Sequence, residues 1–462
     1  MQVLLRILES DFDSGFLSTD PGDLEAYGRD WTRVYSPAPS AVVFPRSAED
    51  VMRLLPLVDR FGAAVVPSGG RTGLAGGAVA TNGEIVVSLD KMRRLEDVDP
   101  IARTVRVEAG AVTRSVHEHA ATEDLTWPVD FASAGSSQIG GNIATNAGGL
   151  KVVRYGPTRH WVLGLEVVTL DGQLLSLNGA LEKNNTGVDL RQLYIGSEGT
   201  LGIITGATLK LERLPRDVRV ALFAVSGLDD ALELFRSVRH RSGFDVMAFE
   251  FLTDECLQLV VARGHATSPF REASPSYVLV ELEAWASWEP LDPWMEELFT
   301  SGLVTDGVLA ESSQHSRALW TVREGISESL AKTGFVHKND VALPISKLPL
   351  FVRDVEGLLA ARYPEFRVFL FGHVGDGNLH INILKPDDWE VPRFLEVCHA
   401  ADHALFSLVK HHRGSISAEH GIGLLKKPFL GFSREPGELE LLRKLKRSLD
   451  PHNRLNPGKI FD

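Results

Sequence analysis

The stretch PSGGRTGLAGG, Pro67–Gly77, decides how the first half of this chain can fold. It directly follows an apolar, strand-like segment, and five of its eleven residues are glycine. Glycines let the backbone approach a ligand closely and turn successive N–H groups inward, and such a nest binds anions, pyrophosphate above all. The stretch is neither a Rossmann fingerprint, because the spacing and the following helix are missing, nor a P-loop, because G-K-[ST] is absent. Taken alone, it fits a mobile glycine loop as well as an anion site.

Two further tracts of small residues lie in the same half of the chain. They are ASAGSSQIGGNIATNAGGLKVVRYG, Ala132–Gly156, and IGSEGTLGIIT, Ile195–Thr205. Glycine costs backbone entropy and offers no side chain to pack, so three such tracts are hard to justify as structure alone. A long, flat ligand with a pyrophosphate, laid across all three loops, explains them together.

Outside these tracts, the first half alternates strand and helix, and a change follows near Leu214 and Pro215. Apolar runs at Ala41–Phe44 and Ala63–Val66 predict strands, and Ser47 predicts the N-cap of a helix between them. After Pro215 the pattern predicts an α+β domain with an antiparallel sheet covered by helices. We therefore expect a first domain over residues 1–214, a second over 215–420, and a C-terminal segment, 421–462, that returns to the first.

Composition limits the classes of function. The chain has 462 residues, 44% hydrophobic and 24% charged, as expected for a globular protein of several domains. Its net charge of −13 argues against nucleic-acid binding, which rests on cationic neutralisation of phosphates. Two cysteines make no disulfide framework, so a reducing cytoplasm is expected. The acidic N-terminus resembles neither a signal nor a transit peptide, and no apolar run approaches the ~18 residues of a membrane span, although peripheral membrane contact stays open.

A second informative stretch is FGHVGDGNLHINI, Phe371–Ile383, in which two histidines flank a turn. The segments on either side alternate like strands, and Asp376-Gly377 is a hairpin signal. Antiparallel pairing would bring His373 and His380 together, and two neutral imidazoles that converge suit a transition metal, zinc most readily. The alternative is that both residues merely close a hairpin.

A metal needs a third ligand, and SAEHGIG, Ser417–Gly423, offers Glu419 beside His420. In extended backbone, neighbouring side chains point in opposite directions, so one can ligate while the other meets a substrate. Other sources are weaker. His399 and His403 have the i, i+4 spacing of zinc ligands on a helix but lack an H-E-x-x-H pattern, and His411-His412 are typical of a solvated helix end.

The three glycine-rich tracts resemble the FAD-binding domain of the vanillyl-alcohol oxidase (PCMH-type) flavoproteins. The resemblance implies a two-subdomain FAD-binding domain and an extended FAD. Some relatives link the flavin to a histidine in the first loop, where Arg71 and Thr72 stand here, so non-covalent FAD is expected. The flavin contacts that the resemblance implies are Pro67, Ser68, Gly69, Gly70, Arg71, Thr72, Gly73, Gly140, Gly141, Asn142, Thr145, Ala147, Gly148, Gly149, Glu198, Gly199, Ile203 and Asn456.

Three further motifs resemble the 2-hydroxyacid dehydrogenase branch of that family. They are H-x-G-D-G-N-x-H at His373–His380, E-H-G-I-G at Glu419–Gly423 and N-P-G-K at Asn456–Lys459. This branch includes D-2-hydroxyglutarate and D-lactate dehydrogenases and the glycolate oxidase flavin subunit. The resemblance implies that His373, His380 and Glu419 hold a divalent metal and that His420 is the catalytic base; by its ligand chemistry this set suits zinc most readily. It also implies four substrate-binding residues: Arg323, Ser327, Lys338 and Asn382. An exposed helical arginine is, however, usually solvated, and Lys338 is open to the same interpretation.

The implied reaction is oxidation of a D-2-hydroxy acid, D-2-hydroxyglutarate first, to the 2-oxo acid by hydride transfer to flavin N5. The D-handedness rests on the resemblance alone. D-lactate or glycolate dehydrogenase is the alternative within this class, and a zinc hydrolase or a non-enzymatic flavin or metal carrier lies outside it. The expected electron acceptor is a quinone, an electron-transfer flavoprotein or a cytochrome; direct use of oxygen and a homodimeric state both stay open.

Overall fold

The structure is a computed structural model that describes residues 1–32, 34–240 and 243–461. It contains two compact units. The first unit comprises residues 1–149, 155–214 and 419–462, and the second comprises residues 150–154 and 215–418. The short segment 150–154 therefore groups with the second unit, although it lies within the sequence of the first.

The first 214 residues contain short strands and mostly short helices. The strands are β1 (Leu17–Ser18), β2 (Ala41–Val43), β3 (Val65–Ser68), β4 (Ile85–Ser88), β5 (Thr104–Glu108), β6 (Leu125–Thr126), β7 (Val162–Val168), β8 (Leu174–Leu177), β9 (Ile203–Lys210) and β10 (Glu212–Arg213). The helices are α1 (Gln2–Asp11), α2 (Pro21–Tyr27), α3 (Ala48–Arg60), α4 (Thr113–Ala121), α5 (Ile139–Thr145), α6 (Val152–Tyr155) and α7 (Arg191–Tyr194), with a 3-10 helix at Thr158–Trp161.

The first unit has two four-stranded sheets. One has the order β1-β2-β4-β3, in which β2 and β3 both run parallel to β4, and the other is the antiparallel sheet β5-β9-β7-β8. The predicted helix between β2 and β3 is confirmed as α3. The Ser47 side chain accepts the Asp50 N–H, and Val51, Leu54 and Val58 are buried along one face. The crossover directs β3, and the glycine tract that follows it, to the edge of the sheet.

The second unit is built on one sheet of seven strands with helices between them. The strands are β11 (Val218–Val225), β12 (Phe244–Thr253), β13 (Ser276–Ala284), β14 (Asp306–Leu309), β15 (Val336–Ala342), β16 (Arg367–Gly372) and β17 (Asn378–Leu384). The helices are α8 (Leu228–His240), α9 (Asp254–Ala262), α10 (Leu291–Thr300), α11 (Ser313–Thr333), α12 (Leu348–Arg362) and α13 (Val391–His411), with a 3-10 helix at Ile345–Lys347.

The order of this sheet is β14-β11-β13-β12-β16-β17-β15, and every pairing in it is antiparallel. The predicted antiparallel sheet and the hairpin of β16 and β17 are thereby confirmed. Asp340 on β15 lies opposite His380 on β17, and Lys338 lies opposite Asn382. Cross-strand partners project to the same face of a sheet, as do residues two apart on one strand, so these four side chains share one face.

The C-terminal segment completes the first unit. It contains a 3-10 helix at Lys427–Phe432 and α14 (Pro436–Leu449), and then runs beside β3. The Val65 N–H donates to the Arg454 carbonyl (2.8 Å), and the Asn456 N–H donates to the Val65 carbonyl (2.8 Å). These two bonds bring Asn456 next to the strand that leads into Pro67–Gly77. Within the described residues, no helix combines the length and the apolarity that crossing a bilayer requires.

Candidate functional site

The first unit brings the three glycine-rich tracts into direct contact. A Cβ atom at Gly70 would lie 2.1 Å from the Ser136 carbonyl oxygen, so only glycine allows the first and second tracts to meet there. The Glu198 N–H donates to the Ala144 carbonyl (2.8 Å), which joins the third tract to the second. A Cβ at Gly199 would lie 2.8 Å from Cγ of Pro67, which brings the third tract against the first.

The first tract fits an anionic ligand. In the described residues, none of the backbone N–H groups from Gly69 through Leu74 donates a hydrogen bond to another part of the chain. Beside Gly141 of the second tract, a Cβ atom would meet nothing within 4 Å, so space lies next to that backbone. A run of unused N–H donors beside open space is what a pyrophosphate needs, and these residues therefore fit FAD.

Arg71 of the first tract is held by the protein itself. Its Nη1 donates to the Gly69 carbonyl (2.8 Å), its Nη2 lies 3.5 Å from the Asp90 carboxylate, and its guanidinium stacks 4.4 Å from the Tyr27 ring centroid. Its backbone adopts the left-handed conformation, with φ of 57°. Arg71 thus stands in the loop where a flavin-linking histidine was considered, and its side chain is held by contacts within the protein.

Several side chains that were predicted to touch the flavin are used inside the protein. Asn142 donates to the Thr113 hydroxyl (2.7 Å), and the Thr145 hydroxyl donates to the Gly141 carbonyl (3.0 Å). Ile203 is buried in the hydrophobic core of the first unit. The side chains of these three residues therefore serve the packing and hydrogen bonding of the first unit. The remaining predicted contacts lie on the three tracts described above: Pro67, Ser68, Thr72, Gly73, Gly140, Ala147, Gly148 and Gly149.

Glu198 and Asn456 connect the glycine-rich tracts to the C-terminal segment. The Asn456 amide donates to the carbonyls of Gly77 (2.9 Å) and Glu198 (2.7 Å). The Glu198 carboxylate accepts the N–H groups of Ile422 (2.7 Å) and Gly423 (2.8 Å). Burial raises the pKa of Glu198 to about 7, although these two hydrogen bonds oppose that shift. Glu198 thereby fixes the segment that begins immediately after His420 and Gly421.

In the second unit, the two predicted metal ligands lie side by side. The ring centroids of His373 and His380 are 5.5 Å apart, and the rings are nearly perpendicular. His373 Nδ1 lies 2.7 Å from the Glu250 carboxylate, and His380 Nδ1 lies 3.6 Å from the Asp340 carboxylate. Each Nε2 therefore points away from its carboxylate. Histidines that bind metals are usually oriented by a carboxylate in this manner, so the pair fits a divalent ion such as zinc.

Glu419 and His420 directly follow the last residue of the second unit. The Ala418 N–H donates to the Asp340 carbonyl (3.3 Å), and Ser417 forms a bridge to the same residue. Asp340 is the cross-strand partner of His380. Since consecutive Cα atoms are about 3.8 Å apart, the chain reaches Glu419 one residue beyond a point fixed beside the histidine pair.

Arg323 is buried, so the interpretation as a solvated helical arginine is wrong. Its Nε lies 2.8 Å from the Glu250 carboxylate, and its guanidinium carbon lies 4.8 Å from the Phe371 ring centroid. Its Nε and Nη2 are both buried and make no hydrogen bond among the described residues, so the contact of Nε with Glu250 is an ion pair and Nη2 has no partner. Ser327 lies one turn later on α11 and is exposed. A buried guanidinium with an unused donor is suited to a carboxylate ligand.

Lys338 and Asn382 lie opposite each other on β15 and β17, next to the Asp340 and His380 pair. Burial lowers the pKa of Lys338. In the part of the chain that the structure describes, no carboxylate forms an ion pair with Lys338. A half-buried ammonium without a protein counter-ion is suited to a ligand that brings its own negative charge.

The weaker candidate ligands are used elsewhere. His412 Nε2 lies 2.7 Å from the Asp354 carboxylate, and the His399 ring packs 6.3 Å from the ring of His337. Among the described residues, His399, His403, His411 and His412 belong to no group of three possible metal ligands.

The sequence analysis missed three carboxylates: Glu198 as a fixed point for the segment after His420, and Glu250 and Asp340 as partners of the histidines. A signal was present for one of them, since Glu250 is the single charged residue in the apolar run VMAFEFL. Its partner lies 123 residues away, so the pairing itself is not visible in the sequence.

Comparisons with known proteins agree with these arrangements. Residues 214–460 match the family of FAD linked oxidases, C-terminal domain, and residues 39–178 match an FAD binding domain. The chain is 44% identical over 460 residues to a D-2-hydroxyglutarate dehydrogenase of Stutzerimonas stutzeri, covering 99% of this chain and 98% of the relative. It is 47% identical over 452 residues to a D-2-hydroxyglutarate dehydrogenase of Xanthomonas citri pv. viticola, covering 96% and 94% of the two chains.

The fold is shared with 4-ethylphenol oxidase from Gulosibacter chungangensis, with a TM-score of 0.77 at 16% identity over 100% of this chain and 97% of that one. The predicted FAD-binding fold of the vanillyl-alcohol oxidase type is thereby confirmed. From its two matching domains and its relatives, the chain belongs to the FAD-linked oxidases and is an FAD-dependent oxidoreductase.

Proposed function

We propose that this protein is an FAD- and metal-dependent dehydrogenase that oxidises a D-2-hydroxy acid, D-2-hydroxyglutarate above all, to the 2-oxo acid. The observation that carries the proposal is the sheet face of β15 and β17, where Lys338, Asn382 and His380 lie together. One cation for an anionic substrate, the half-buried Lys338, lies there beside a histidine pair suited to a metal. The relatives named D-2-hydroxyglutarate dehydrogenase support the choice of substrate.

Substrate binding is assigned to Arg323, Ser327, Lys338 and Asn382. Arg323 contributes the buried Nη2 that lacks a partner, and Lys338 contributes an ammonium whose pKa burial lowers. A carboxylate that satisfies either group offsets its desolvation, which favours anionic substrates over neutral alcohols. Asn382 can bind the substrate by its amide, and Ser327 offers a hydroxyl from the same helix as Arg323.

The metal is assigned to His373, His380 and Glu419, and zinc suits this set of two imidazoles and one carboxylate. Glu250 orients the His373 ring by a hydrogen bond at Nδ1, and the Asp340 carboxylate lies 3.6 Å from Nδ1 of His380. When bound, the cofactors supply Lewis acidity toward the substrate alcohol and hydride acceptance at flavin N5.

His420 is assigned as the general base that takes the proton of the substrate hydroxyl. A base of this kind must be held within hydrogen-bonding reach of the proton that it removes. Glu198 contributes to that positioning, because it accepts the N–H groups of Ile422 and Gly423 and so fixes the backbone beyond His420.

Anaerobic reduction of the bound flavin tests the proposal. The purified protein is mixed without oxygen with D- and L-2-hydroxyglutarate, D- and L-lactate and glycolate, and flavin absorption is followed before and after metal removal. We expect D-2-hydroxyglutarate to bleach the flavin fastest, and only in the metal-loaded protein. A colourless protein would favour a zinc hydrolase, and a yellow protein that no hydroxy acid bleaches would favour a carrier. Faster bleaching by D-lactate or by glycolate would instead identify the protein as a D-lactate or glycolate dehydrogenase.

The finer assignments follow the same proposal. We assign the protein to the cytoplasm, which is supported by two buried cysteines that form no disulfide. We also assign reoxidation of the flavin to a quinone, an electron-transfer flavoprotein or a cytochrome, because flavin reduced by a hydride must pass on its electrons. Anaerobic reoxidation rates with each acceptor distinguish these three.

A further inference from the structure

One buried carboxylate joins two groups that the proposed function treats separately. Glu250 is completely buried on β12. One of its oxygens lies 2.7 Å from Nδ1 of His373, and the other lies 2.8 Å from Nε of Arg323. The histidine assigned to the metal and the arginine assigned to the substrate therefore both contact the carboxylate of Glu250.

The surroundings of Glu250 argue against a purely structural role. Its strand neighbours Phe249 and Phe251 are buried, so an apolar residue at this position would also pack within the sheet. Buried ion pairs contribute little net stability, because desolvation offsets their attraction. The pair of contacts does, however, fix the orientation of both partners. The hydrogen bond to His373 Nδ1 sets which ring nitrogen faces away, and the contact with Arg323 Nε directs the two terminal nitrogens of the guanidinium.

We infer that Glu250 is a positioning residue that sets both the metal affinity through His373 and the affinity for the substrate carboxylate through Arg323. The inference rests on the proposed function, since it requires His373 to hold a metal and Arg323 to bind substrate. It predicts that one substitution impairs two binding steps, neither of which Glu250 touches directly.

Glu250→Gln is the sharpest test because it keeps the shape and removes the negative charge together with one of the two accepting oxygens. Both partners are donors here, whereas the glutamine amide has one accepting oxygen and one donating nitrogen. One of the two contacts must therefore become donor against donor. Glu250→Asp keeps the charge and both accepting oxygens on a shorter side chain, so it should restore part of each property. Glu255→Gln, at an exposed position on α9, is the matched control.

The experiment uses the purified holoenzyme of all four proteins. Zinc affinity is measured by competition with a chromophoric chelator, and KM and kcat are measured with D-2-hydroxyglutarate, alongside flavin content and melting temperature. For Glu250→Gln we expect zinc affinity to fall about tenfold to a hundredfold, as for other lost orienting partners of metal ligands. We also expect KM to rise about tenfold or more, as for a misdirected charged hydrogen bond. Flavin content should stay normal, Glu250→Asp should lie between Glu250→Gln and wild type, and Glu255→Gln should match wild type.

A Glu250→Gln protein with normal zinc affinity and normal KM would overturn the inference, even if its melting temperature fell. If that variant does not fold, Glu250→Asp decides: lower zinc affinity together with higher KM supports the inference, and unchanged values overturn it. A wild-type protein that binds no divalent ion would overturn the metal assignment itself and the inference with it. That result appears in the wild type alone, so the two failures are distinguishable.

Discussion

Glu198 in the first unit and Glu250 in the second are both buried glutamates, yet their surroundings differ in kind. Glu198 accepts two backbone N–H groups, those of Ile422 and Gly423. Glu250 faces two charged or chargeable side chains, those of His373 and Arg323. Burial raises the pKa of Glu198 to about 7. Burial would also raise the pKa of Glu250, but the charges and hydrogen bonds of His373 and Arg323 outweigh it and lower that pKa.

The difference in hydrogen-bond partners indicates which role each carboxylate can have. The two backbone donors and the charges of Lys426 and Lys459 lower the pKa of Glu198 but do not cancel the effect of burial, so Glu198 suits the task of fixing a segment of backbone. Nearby cations keep a carboxylate ionised in the core, so Glu250 suits the task of orienting groups that bind a metal and an anion. On this view, the first unit fixes its functional loop through the backbone, and the second unit fixes its functional side chains through charge.

Metal removal should have the largest effect and tests whether the metal and FAD are bound independently of each other. Exhaustive chelation of the purified enzyme should lower turnover of D-2-hydroxyglutarate by about a thousandfold or more, because Lewis acidity contributes several kcal/mol. FAD should stay bound, since Gly69–Gly77, Gly140–Gly149 and Gly196–Gly202, the glycine-rich residues that fit it, lie in the first unit. Turnover and flavin absorption after gel filtration provide the measurement, with zinc readdition as the control. An enzyme indifferent to chelation would remove the metal from the mechanism.

His420→Ala should have the next largest effect, and it separates base catalysis from binding. Loss of a positioned general base should lower kcat by about a hundredfold to ten-thousandfold. FAD and zinc should remain bound, because neither the glycine-rich tracts nor the histidine pair is altered. Stopped-flow flavin reduction gives the rate, and metal analysis gives the zinc content. The exposed His411→Ala is the control. Near-normal turnover in His420→Ala would refute the assigned role.

Local features of this molecule could be predicted from the sequence, and the partners of the buried carboxylates could not. The hairpin that places Phe371 opposite His380 follows from alternating apolar residues and a turn signal within thirteen residues. The same holds for α3, whose cap and apolar face lie in one short segment. By contrast, Glu198 contacts a residue 224 positions away. Only the folded sheets bring such groups together, and no local pattern records that.

The burial of Arg323 is a second feature that the sequence could not predict. Its helix, α11, has charged residues on several faces, so the sequence favoured solvation as much as burial. The structure buries it because a carboxylate on the neighbouring sheet, Glu250, compensates its charge. A buried charge can be recognised from sequence only when its partner can be recognised as well.

Lys338→Met should lower activity less than His420→Ala does, and it should keep or raise the stability of the protein. Removal of a half-buried ammonium without a protein counter-ion relieves a desolvation penalty, so the melting temperature should hold or rise. The KM for D-2-hydroxyglutarate should rise by about tenfold, as expected for one lost hydrogen bond to a charged group. Thermal melts and steady-state kinetics measure the two, with the exposed Lys347→Met as the control. Lower stability together with unchanged KM would assign Lys338 a structural role.

Glu198→Gln should have the smallest effect on turnover. Its effect on stability should depend on pH, which tests the difference between Glu198 and Glu250. The amide can accept only one of the two N–H groups, so the variant should lose about 1–3 kcal/mol of stability under conditions where wild type is most stable. The pKa of Glu198 is raised from 4.5 to about 7, so its protonated form is favoured in the folded state. Its contribution to stability is therefore fully present below about pH 4.5 and declines as pH rises toward about 7.

Melting temperatures of the two holoenzymes at pH 5 and pH 8 measure this. The advantage of wild type over Glu198→Gln should be larger at pH 5 than at pH 8, because glutamine does not titrate. Glu123→Gln, an exposed substitution in the same unit, should show no such change with pH. An advantage that grows with pH would mean that Glu198 is held as a carboxylate at neutral pH, as Glu250 is. The contrast between backbone donors and charged donors would then fail for this pair of residues.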